Sequence, residues 1–257
     1  MEQCISEITE ITDIGKSYTK LCFSVPWQSP PASGQFVSLS CGDRTLLKRP
    51  LSIGGYREGV VSVIFKIIGR GTQFLSEHKR GDKLAVLGPL GRGFPAEREH
   101  EVIYTGGGCG IPPLVYDISL YAKGKGAKVF AGFKTASETP LAEEFRRHGA
   151  DVHIATEDGS AGEQGVATDI LKNYLESLDH KCIIFASGPM VMQKKVADLC
   201  RSFGTEGYLC LERYMACGFG VCHSCVQPVL TDEGRTEYAR VCTEGPVFST
   251  DTVVWDT

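Results

Sequence analysis

Val102-Ile103-Tyr104-Thr105-Gly106-Gly107-Gly108-Cys109-Gly110-Ile111-Pro112-Pro113 is the stretch on which the reading of this fold turns. An apolar triplet suited to a buried strand runs into a glycine-rich turn. A helix is predicted next, with Ile111, Leu114, Val115 and Ile118 on one face. Pro112 and Pro113 fall in its first turn, where a missing N–H leaves no bond unmade. Backbone without side chains can approach a phosphate closely here. The spacing departs from G-x-G-x-x-G, so it is not the standard dinucleotide fingerprint. A tight turn of purely structural use is the alternative.

Towards the C-terminus the same grammar repeats. Lys128 to Phe133, Val152 to Ala155 and Cys182 to Ala186 read as strands, with a helix over 167–178. A last helix carries Met192, Val196, Leu199 and Phe203 on one stripe. Alternating strands and helices predict a parallel, nucleotide-binding sheet. Ala186-Ser187-Gly188-Pro189-Met190 repeats the strand–glycine–helix arrangement. Both turns fall at strand C-termini, where open α/β sheets bind ligands. Gly106, Gly107, Gly108, Gly110, Gly188 and Pro189 are therefore candidate dinucleotide contacts. Thr156-Glu157-Asp158-Gly159-Ser160 follows another strand, and Asp158 there would accept from a ribose hydroxyl and repel a 2′-phosphate. This favours NAD over NADP, against the plainer reading of a solvated acidic loop.

Towards the N-terminus, residues 1–98 read as all-β. Thr19, Leu21, Phe23 and Val25 alternate with Lys20, Cys22 and Ser24. Gln35 to Ser40 and Val60 to Ile68 are further strands, and short strands with Gly and Pro turns suggest a closed barrel. Arg49-Pro50-Leu51-Ser52 is read as following a strand: an arginine fork for a pyrophosphate, a stiffening proline, and a hydroxyl for a flavin ring nitrogen. Gly69-Arg70-Gly71-Thr72 opens a short helix that Thr72 caps, a turn that offers free N–H groups to a phosphate. Gly88 to Phe94 reads as a rigid loop before the domain change. Each piece alone has an ordinary structural reading; the three together, in a β domain before an α/β domain, point to a flavin.

After Gly204 the pattern breaks into a Gly- and Cys-rich segment ending in a strand-like tail, Thr252 to Trp255. Cys217, Cys222, Cys225 and Cys242 follow the C-x4-C-x2-C…C spacing of plant-type [2Fe–2S] ferredoxins. Three thiolates must converge within one loop, so the backbone turns sharply, and Gly218 and Gly220 permit it. A structural zinc site competes, but zinc ribbons pair two C-x2-C knuckles and here the first gap is four residues. His223 reads as a solvated loop residue rather than a ligand.

The 257 residues are 42% hydrophobic and 23% charged, enough for more than one core. A net charge of −4 gives no footing for nucleic acid or an anionic membrane. No apolar run reaches the ~20 residues of a membrane span, and no signal peptide is read at the N-terminus, so the expected location is cytoplasmic. Eleven cysteines, an odd number without a secretory signal, argue against a disulfide framework. Cys4, Cys22, Cys41, Cys182, Cys200 and Cys210 are expected to be small buried hydrophobes. The predicted architecture is a multidomain α+β chain: a flavin-binding antiparallel β-barrel (1–98), a parallel-sheet α/β nucleotide domain (99–206) and a small iron–sulfur domain (207–257).

These motifs resemble, over essentially the full length, the electron-transfer subunits of NAD-dependent dihydroorotate dehydrogenase, within the ferredoxin–NADP reductase superfamily. The resemblance rests on Arg49-Pro50-Leu51-Ser52, Gly71-Thr72, Gly106-Gly107-Gly108 with Pro112-Pro113, Thr156 to Ser160, Met215-Ala216-Cys217-Gly218, Cys222, Cys225, and Val241-Cys242 before Gly245-Pro246-Val247-Phe248. It implies FAD at residues 49–52, at Lys66, Ile67 and Ile68, and at Gly71 and Thr72. It implies a [2Fe–2S] cluster on the four cysteines, NAD as substrate, and an FMN-containing catalytic subunit as partner in a heterotetramer of two of each. Two departures stand out: Cys109 replaces the usual aliphatic residue of the glycine turn, and Leu51 replaces the superfamily's flavin-motif aromatic, the latter being normal in this subfamily. A flavin and a one-electron cluster on one chain make a two-to-one electron converter. No acid/base dyad suited to carbon deprotonation is read here, so no catalytic residue is assigned and substrate oxidation falls to the partner. The rival readings are a related reductase subunit serving ferredoxin, sulfide or a bifurcating complex, and a non-enzymatic zinc-binding scaffold.

Overall fold

Alternation at Leu21, Phe23 and Val25 is that of a strand with one face in a core, and all three side chains are buried. The computed structural model describes residues 1–15, 18–122 and 126–255. Lys16, Ser17, Lys123, Gly124, Lys125, Asp256 and Thr257 lie outside the described residues, so the last two positions of the expected 207–257 domain do as well.

Six antiparallel strands close a barrel: β1 (Glu2–Gly15), β2 (Tyr18–Ser24), β3 (Phe36–Leu39), β4 (Arg49–Arg57), β5 (Val60–Lys66) and β6 (Lys83–Leu90), in the order β1-β2-β5-β4-β3-β6. Closure leaves no free edge. The long β1 gives a weak sequence signal because polar and charged residues fill most of it, with only Ser6 and Ile8 buried. Two expectations are corrected here. Arg49-Pro50-Leu51-Ser52 does not follow a strand but opens β4, with Leu39 opposite Arg49 and Phe36 opposite Ser52. Gly88 to Leu90 is not loop but the end of β6, where the register against β3 shifts between Phe36 and Ser38; a proline is tolerated in a sheet at such an irregularity.

The short helix α1 (Arg70–Ser76) starts behind Gly69. Thr72 is therefore its third residue and not its cap. The Thr72 hydroxyl reaches back to accept from the N–H groups of Ile68 (3.0 Å) and Gly69 (3.3 Å).

The second half alternates as expected: β7 (Glu101–Gly107), α2 (Ile111–Tyr121), β8 (Lys128–Phe133), α3 (Glu143–Arg146), β9 (Asp151–Thr156), β10 (Glu163–Gln164), α4 (Ala167–Ser177), β11 (Cys182–Ser187), α5 (Met190–Phe203) and β12 (Glu206–Cys210). A ribbon of β13 (Val226–Leu230) and β14 (Thr236–Arg240) follows, and then β15 (Val247–Ser249). The sheet order is β10-β9-β8-β7-β11-β12-β15, parallel except for β15 against β12. The buried stripe of α5 is Gln193, Val196, Ala197 and Cys200, rotated from the expected one; Phe203 is exposed in the last turn. The tail over Thr252 to Trp255 makes a single bridge, Val253 to Val229, in place of a strand. Five of the scattered cysteines (Cys22, Cys41, Cys182, Cys200 and Cys210) are buried and Cys4 is half-buried.

A buried polar knot sets barrel against sheet. Asp117 of α2, 0% exposed, accepts from Ser33 of the barrel (2.5 Å), from the Tyr104 hydroxyl (2.7 Å) and from two Arg98 nitrogens (2.8 and 2.7 Å). Nearby, the Tyr116 hydroxyl donates to Pro31 O at 2.8 Å. A carboxylate so deeply buried is tolerated because its oxygens are satisfied by four donor groups.

Candidate functional site

Two cavities open where barrel and sheet meet. The first, about 520 Å³, is lined by Pro50, Leu51 and Ser52 of β4, by Lys66, Ile68 and Thr72, and by Phe36, Tyr214, Met215 and Pro246. Arg49 and Gly71 adjoin each other beside this wall: a side chain at Gly71 would bring its Cβ to 2.5 Å of the Arg49 Nε. One guanidinium nitrogen of Arg49 is fixed by Leu47 O at 2.7 Å. Ile67, by contrast, packs against the barrel core. Of the residues expected to hold a flavin, Pro50, Leu51, Ser52, Lys66, Ile68 and Thr72 line this cavity, and Arg49, Ile67 and Gly71 do not. Backbone turns, an arginine fork and a hydroxyl fit a flavin dinucleotide.

The second cavity, about 540 Å³, lies at the C-terminal ends of β7, β8, β9 and β11. Gly107, Gly108, Gly110, Gly188 and Pro189 line it as expected. Gly106 lies beneath, where a Cβ would meet Leu114 at 2.8 Å and Ser187 O at 3.0 Å. Gly110 is pressed on the backbone of Ser187 and Gly188, so no larger residue fits between the two turns. Asp158 is exposed and is not on the wall; it accepts from the Ser160 N–H at 3.0 Å and its hydroxyl at 2.5 Å, bonds that hold its carboxyl below the usual range. Its neighbour Glu157 lines the cavity instead. Sequence reasoning passed over Tyr18, Lys134, Glu138, Thr168, Lys195 and Glu212 on this wall, and named Lys66 only for the flavin. They come from separate elements, and no local pattern marks them.

Lys66, Cys109, Gly188 and Glu212 line both cavities. Lys66 lies over the Tyr18 ring, 5.3 Å from its centre, and donates to Glu138 at 2.8 Å. Burial alone would push the Glu138 carboxyl up; the bonds from Lys66 and the Lys134 N–H outweigh it and hold the group below its ordinary value. Cys109 and Glu212 keep surface towards the cleft while protein crowds their other sides. Desolvation pushes both the Cys109 thiol and the Glu212 carboxyl up. Cys109 is therefore a neutral thiol at neutral pH, not a reactive thiolate.

The four clustered cysteines follow Met215, a wall residue of the first cavity, along the chain. Cys225 and Cys242 are buried, Cys217 is half-buried and Cys222 exposed. The β13–β14 ribbon sets Cys225 beside Cys242, with Val241 N donating to Cys225 O at 3.0 Å. The thiols interact as two pairs, Cys217 with Cys222 and Cys225 with Cys242. Among the described residues no three His, Cys, Asp or Glu side chains gather about one point as ligands of a single ion would. Two pairs are what two irons require, each taking two thiolates. Burial opposes ionisation of Cys217, but the N–H groups of Phe219, Cys222 and Val221 and the Cys222 side chain outweigh it and bring the thiol down to about 6. For Cys242, desolvation and then the Cys225 neighbour push the thiol up to about 12, against a bond from Gly220. Gly220 turns at φ +90°, and a Cβ there would lie 2.9 Å from Thr243. His223 is exposed, in the left-handed region. N–H groups directed at paired sulfurs fit an iron–sulfur cluster. Arg213 donates to Gln227 of β13 (3.0 and 2.5 Å), fixing the segment whose Met215 walls the first cavity two residues before Cys217.

Residues 212–254 match the family described as the iron–sulfur cluster binding domain of dihydroorotate dehydrogenase B. The chain is 36% identical to the dihydroorotate dehydrogenase B (NAD(+)) electron transfer subunit of Caldanaerobacter subterraneus subsp. tengcongensis, over 88% of each chain. It is 37% identical to the corresponding subunit of Listeria welshimeri, over 98% of this chain and 99% of that one. Among solved structures, an NADH-dependent reduced ferredoxin-NADP oxidoreductase studied for flavin-based electron bifurcation superposes with a TM-score of 0.83. That match has 28% identity and covers 98% of this chain and 90% of the other.

Proposed function

Because the chain belongs to the family of dihydroorotate dehydrogenase B (NAD(+)) electron transfer subunits, we propose that it conducts electrons from the FMN of a dihydroorotate dehydrogenase catalytic subunit to NAD⁺, in pyrimidine biosynthesis. The route is a [2Fe–2S] cluster on Cys217, Cys222, Cys225 and Cys242, then FAD in the barrel-side cavity. One observation carries the reading: the two cavities share the wall formed by Lys66, Cys109, Gly188 and Glu212, and the cluster loop begins at Met215, which also lines the first cavity.

When bound, the flavin supplies hydride exchange with nicotinamide and the cluster supplies single-electron transfer. The chain's own residues bind and orient. Arg49 and the Gly71–Thr72 turn face phosphates with fixed donors, and Ser52 offers a hydroxyl to the ring. Gly107, Gly108, Gly110, Gly188 and Pro189 let the backbone close on a dinucleotide. Asp158 stands outside the cleft wall, so the preference for NAD rests more on Glu157. The Lys66–Glu138 pair ties barrel to sheet beside the shared wall. Dihydroorotate oxidation belongs to the catalytic subunit, in a cytoplasmic heterotetramer of two of each. Among the described residues no helix is long and apolar enough to cross a membrane.

The test is to purify the chain anaerobically, with and without a co-expressed catalytic subunit, and record visible spectra before and after NADH. Flavin and cluster bands that bleach, with co-purification, are the expected result. The 28% identity to the bifurcating oxidoreductase favours a second reading, a subunit of such a complex; bleaching bands without co-purification would shift the assignment there. A colourless, zinc-containing protein would overturn both.

A further inference from the structure

Two cations line the first cavity, Lys66 and Arg213, and they are held in different ways. Lys66 donates to the Glu138 carboxylate at 2.8 Å, so its charge is matched. Arg213 is half-buried and follows β12, where the Leu211 N–H is tied to Pro246 O at 2.8 Å. Its Nε and Nη2 both donate to the side-chain oxygen of Gln227, at 3.0 and 2.5 Å. Gln227 is 1% exposed, and its NH2 group is spent on Pro228 O (3.1 Å) and Val254 O (2.8 Å). Only its oxygen is left for the arginine, and a neutral amide oxygen cancels no charge. Among the described residues no carboxylate pairs with Arg213, and its Nη1 makes no hydrogen bond. The neighbouring Glu212 does not compensate it: desolvation alone acts on that carboxyl.

Arg213 is therefore a fixed positive charge on a wall that also holds Pro50, Leu51 and Met215. Taking a guanidinium partly out of water without a counter-charge is costly. A long cationic side chain is otherwise free to turn to solvent, so a ligand that brings negative charge accounts for this one being held in place. A flavin dinucleotide carries such charge in two places. One is its pyrophosphate; the other is its ring, neutral when oxidised and negative at N1 when reduced at neutral pH. Position separates the two. Arg213 stands between Glu212, on the wall shared with the dinucleotide cleft, and Met215, which leads to Cys217. A ring that exchanges with nicotinamide on one side and the cluster on the other belongs at this end of the cavity. Resting on the reading of the cavities given above, we infer that Arg213, oriented by Gln227, raises the reduction potential of the flavin by favouring its reduced, negatively charged ring. The charge acts little on the neutral oxidised ring, so it shifts the redox equilibrium more than it holds the flavin.

The test titrates the anaerobic holoprotein against mediating dyes, following the flavin by absorbance and the cluster by EPR. It compares wild type with Arg213→Gln, Arg213→Met and Arg213→Lys. A unit charge about 10 Å away, at an effective dielectric constant of about 20, changes such an equilibrium by roughly tenfold. For a two-electron couple that is about 30 mV. Both neutral variants are expected to lower the flavin potential by about that much, because the negative ring loses its partner; Arg213→Met needs no hydrogen bond and serves if Arg213→Gln does not fold. Arg213→Lys keeps the charge and should stay closer to wild type than to either neutral variant. Release of FAD on dilution should change by less than about threefold. An unchanged flavin potential in the neutral variants, an equal shift in Arg213→Lys, or a shift confined to the cluster would overturn the inference. So would a roughly tenfold loss of FAD affinity at unchanged potential, which would make Arg213 a phosphate contact. A wild-type protein that binds no flavin would instead overturn the reading of the cavity itself, and is seen before any variant is made.

Discussion

Around the cluster loop Tyr214, Phe219 and Val221 are open to water, whereas the sheet beneath the dinucleotide cleft rests on Ile103, Val129, Ile184 and Phe185, all closed to it. The loop from Leu211 to Cys225 has no regular strand or helix. Its inner cysteine, Cys225, joins with Cys242 the core cluster that also holds Leu90, Leu209 and Val241, but its outer half has little apolar packing of its own. Such a loop takes its rigidity from ligation, because metal binding and folding are coupled. The cleft owes its shape to packed strands and to the Asp117 knot, which exist without any ligand. One chain thus carries a site built by its cofactor beside a site built by its core.

The largest effect should come from Cys225→Ser. We expect complete loss of the cluster's visible and EPR signals and rapid proteolysis within 211–246, while NADH still bleaches the flavin. If NADH no longer reduced the flavin, the two regions would not be independent in the way described. Next comes Asp117→Ala, which strands Arg98 in a buried setting. Breaking a buried pair costs about 3–5 kcal/mol, readable as a lower denaturant midpoint with the cluster signals intact in the native baseline. A shift under about 1 kcal/mol would mean that the barrel–sheet knot does not hold the cleft.

Arg49→Ala should weaken FAD binding about tenfold or more, the scale of a charge-assisted hydrogen bond. Flavin fluorescence on dilution measures it, and full flavin retention would remove Arg49 from the site. The smallest effect concerns Lys66–Glu138. The folded Glu138 carboxyl is held below its ordinary value, so the pair stabilises the protein above the unfolded carboxylate pKa of about 4.3 and is lost as pH falls through the lower folded value. Melting wild type beside Glu138→Gln should show a gap of about 1 kcal/mol or less at neutral pH that closes in acid. A gap that widened in acid would reverse the assigned sign.

The two regions also differed in how far they could be read in advance. Cys217, Cys222, Cys225 and Cys242 stand out in the sequence because a loop around a cluster needs its ligands at short fixed spacings. The strand–glycine–helix turns at Gly106 to Gly110 and at Gly188 were legible for the same local reason. Asp158 was singled out where Glu157 is the residue on the wall, because side chains after a strand alternate in direction and the exit angle of the loop is not local information. Thr72 looked like a cap, yet the turn through Gly69 started the helix three residues earlier. The stripe of α5 was misplaced by one residue, since apolar side chains at a helix end are free to face solvent.

By itself the sequence determined the class of each half, the clustered cysteines, the two glycine turns and the arginine–proline segment beside the first cavity, all of them features whose physics acts over a few residues. Only the tertiary structure decided the barrel order β1-β2-β5-β4-β3-β6, the shared wall of Lys66, Cys109, Gly188 and Glu212, and the meeting of Ala167 with Gly132. Those depend on strand pairing and on the packing of barrel against sheet, where residues far apart in the chain become neighbours because their apolar faces must leave water together.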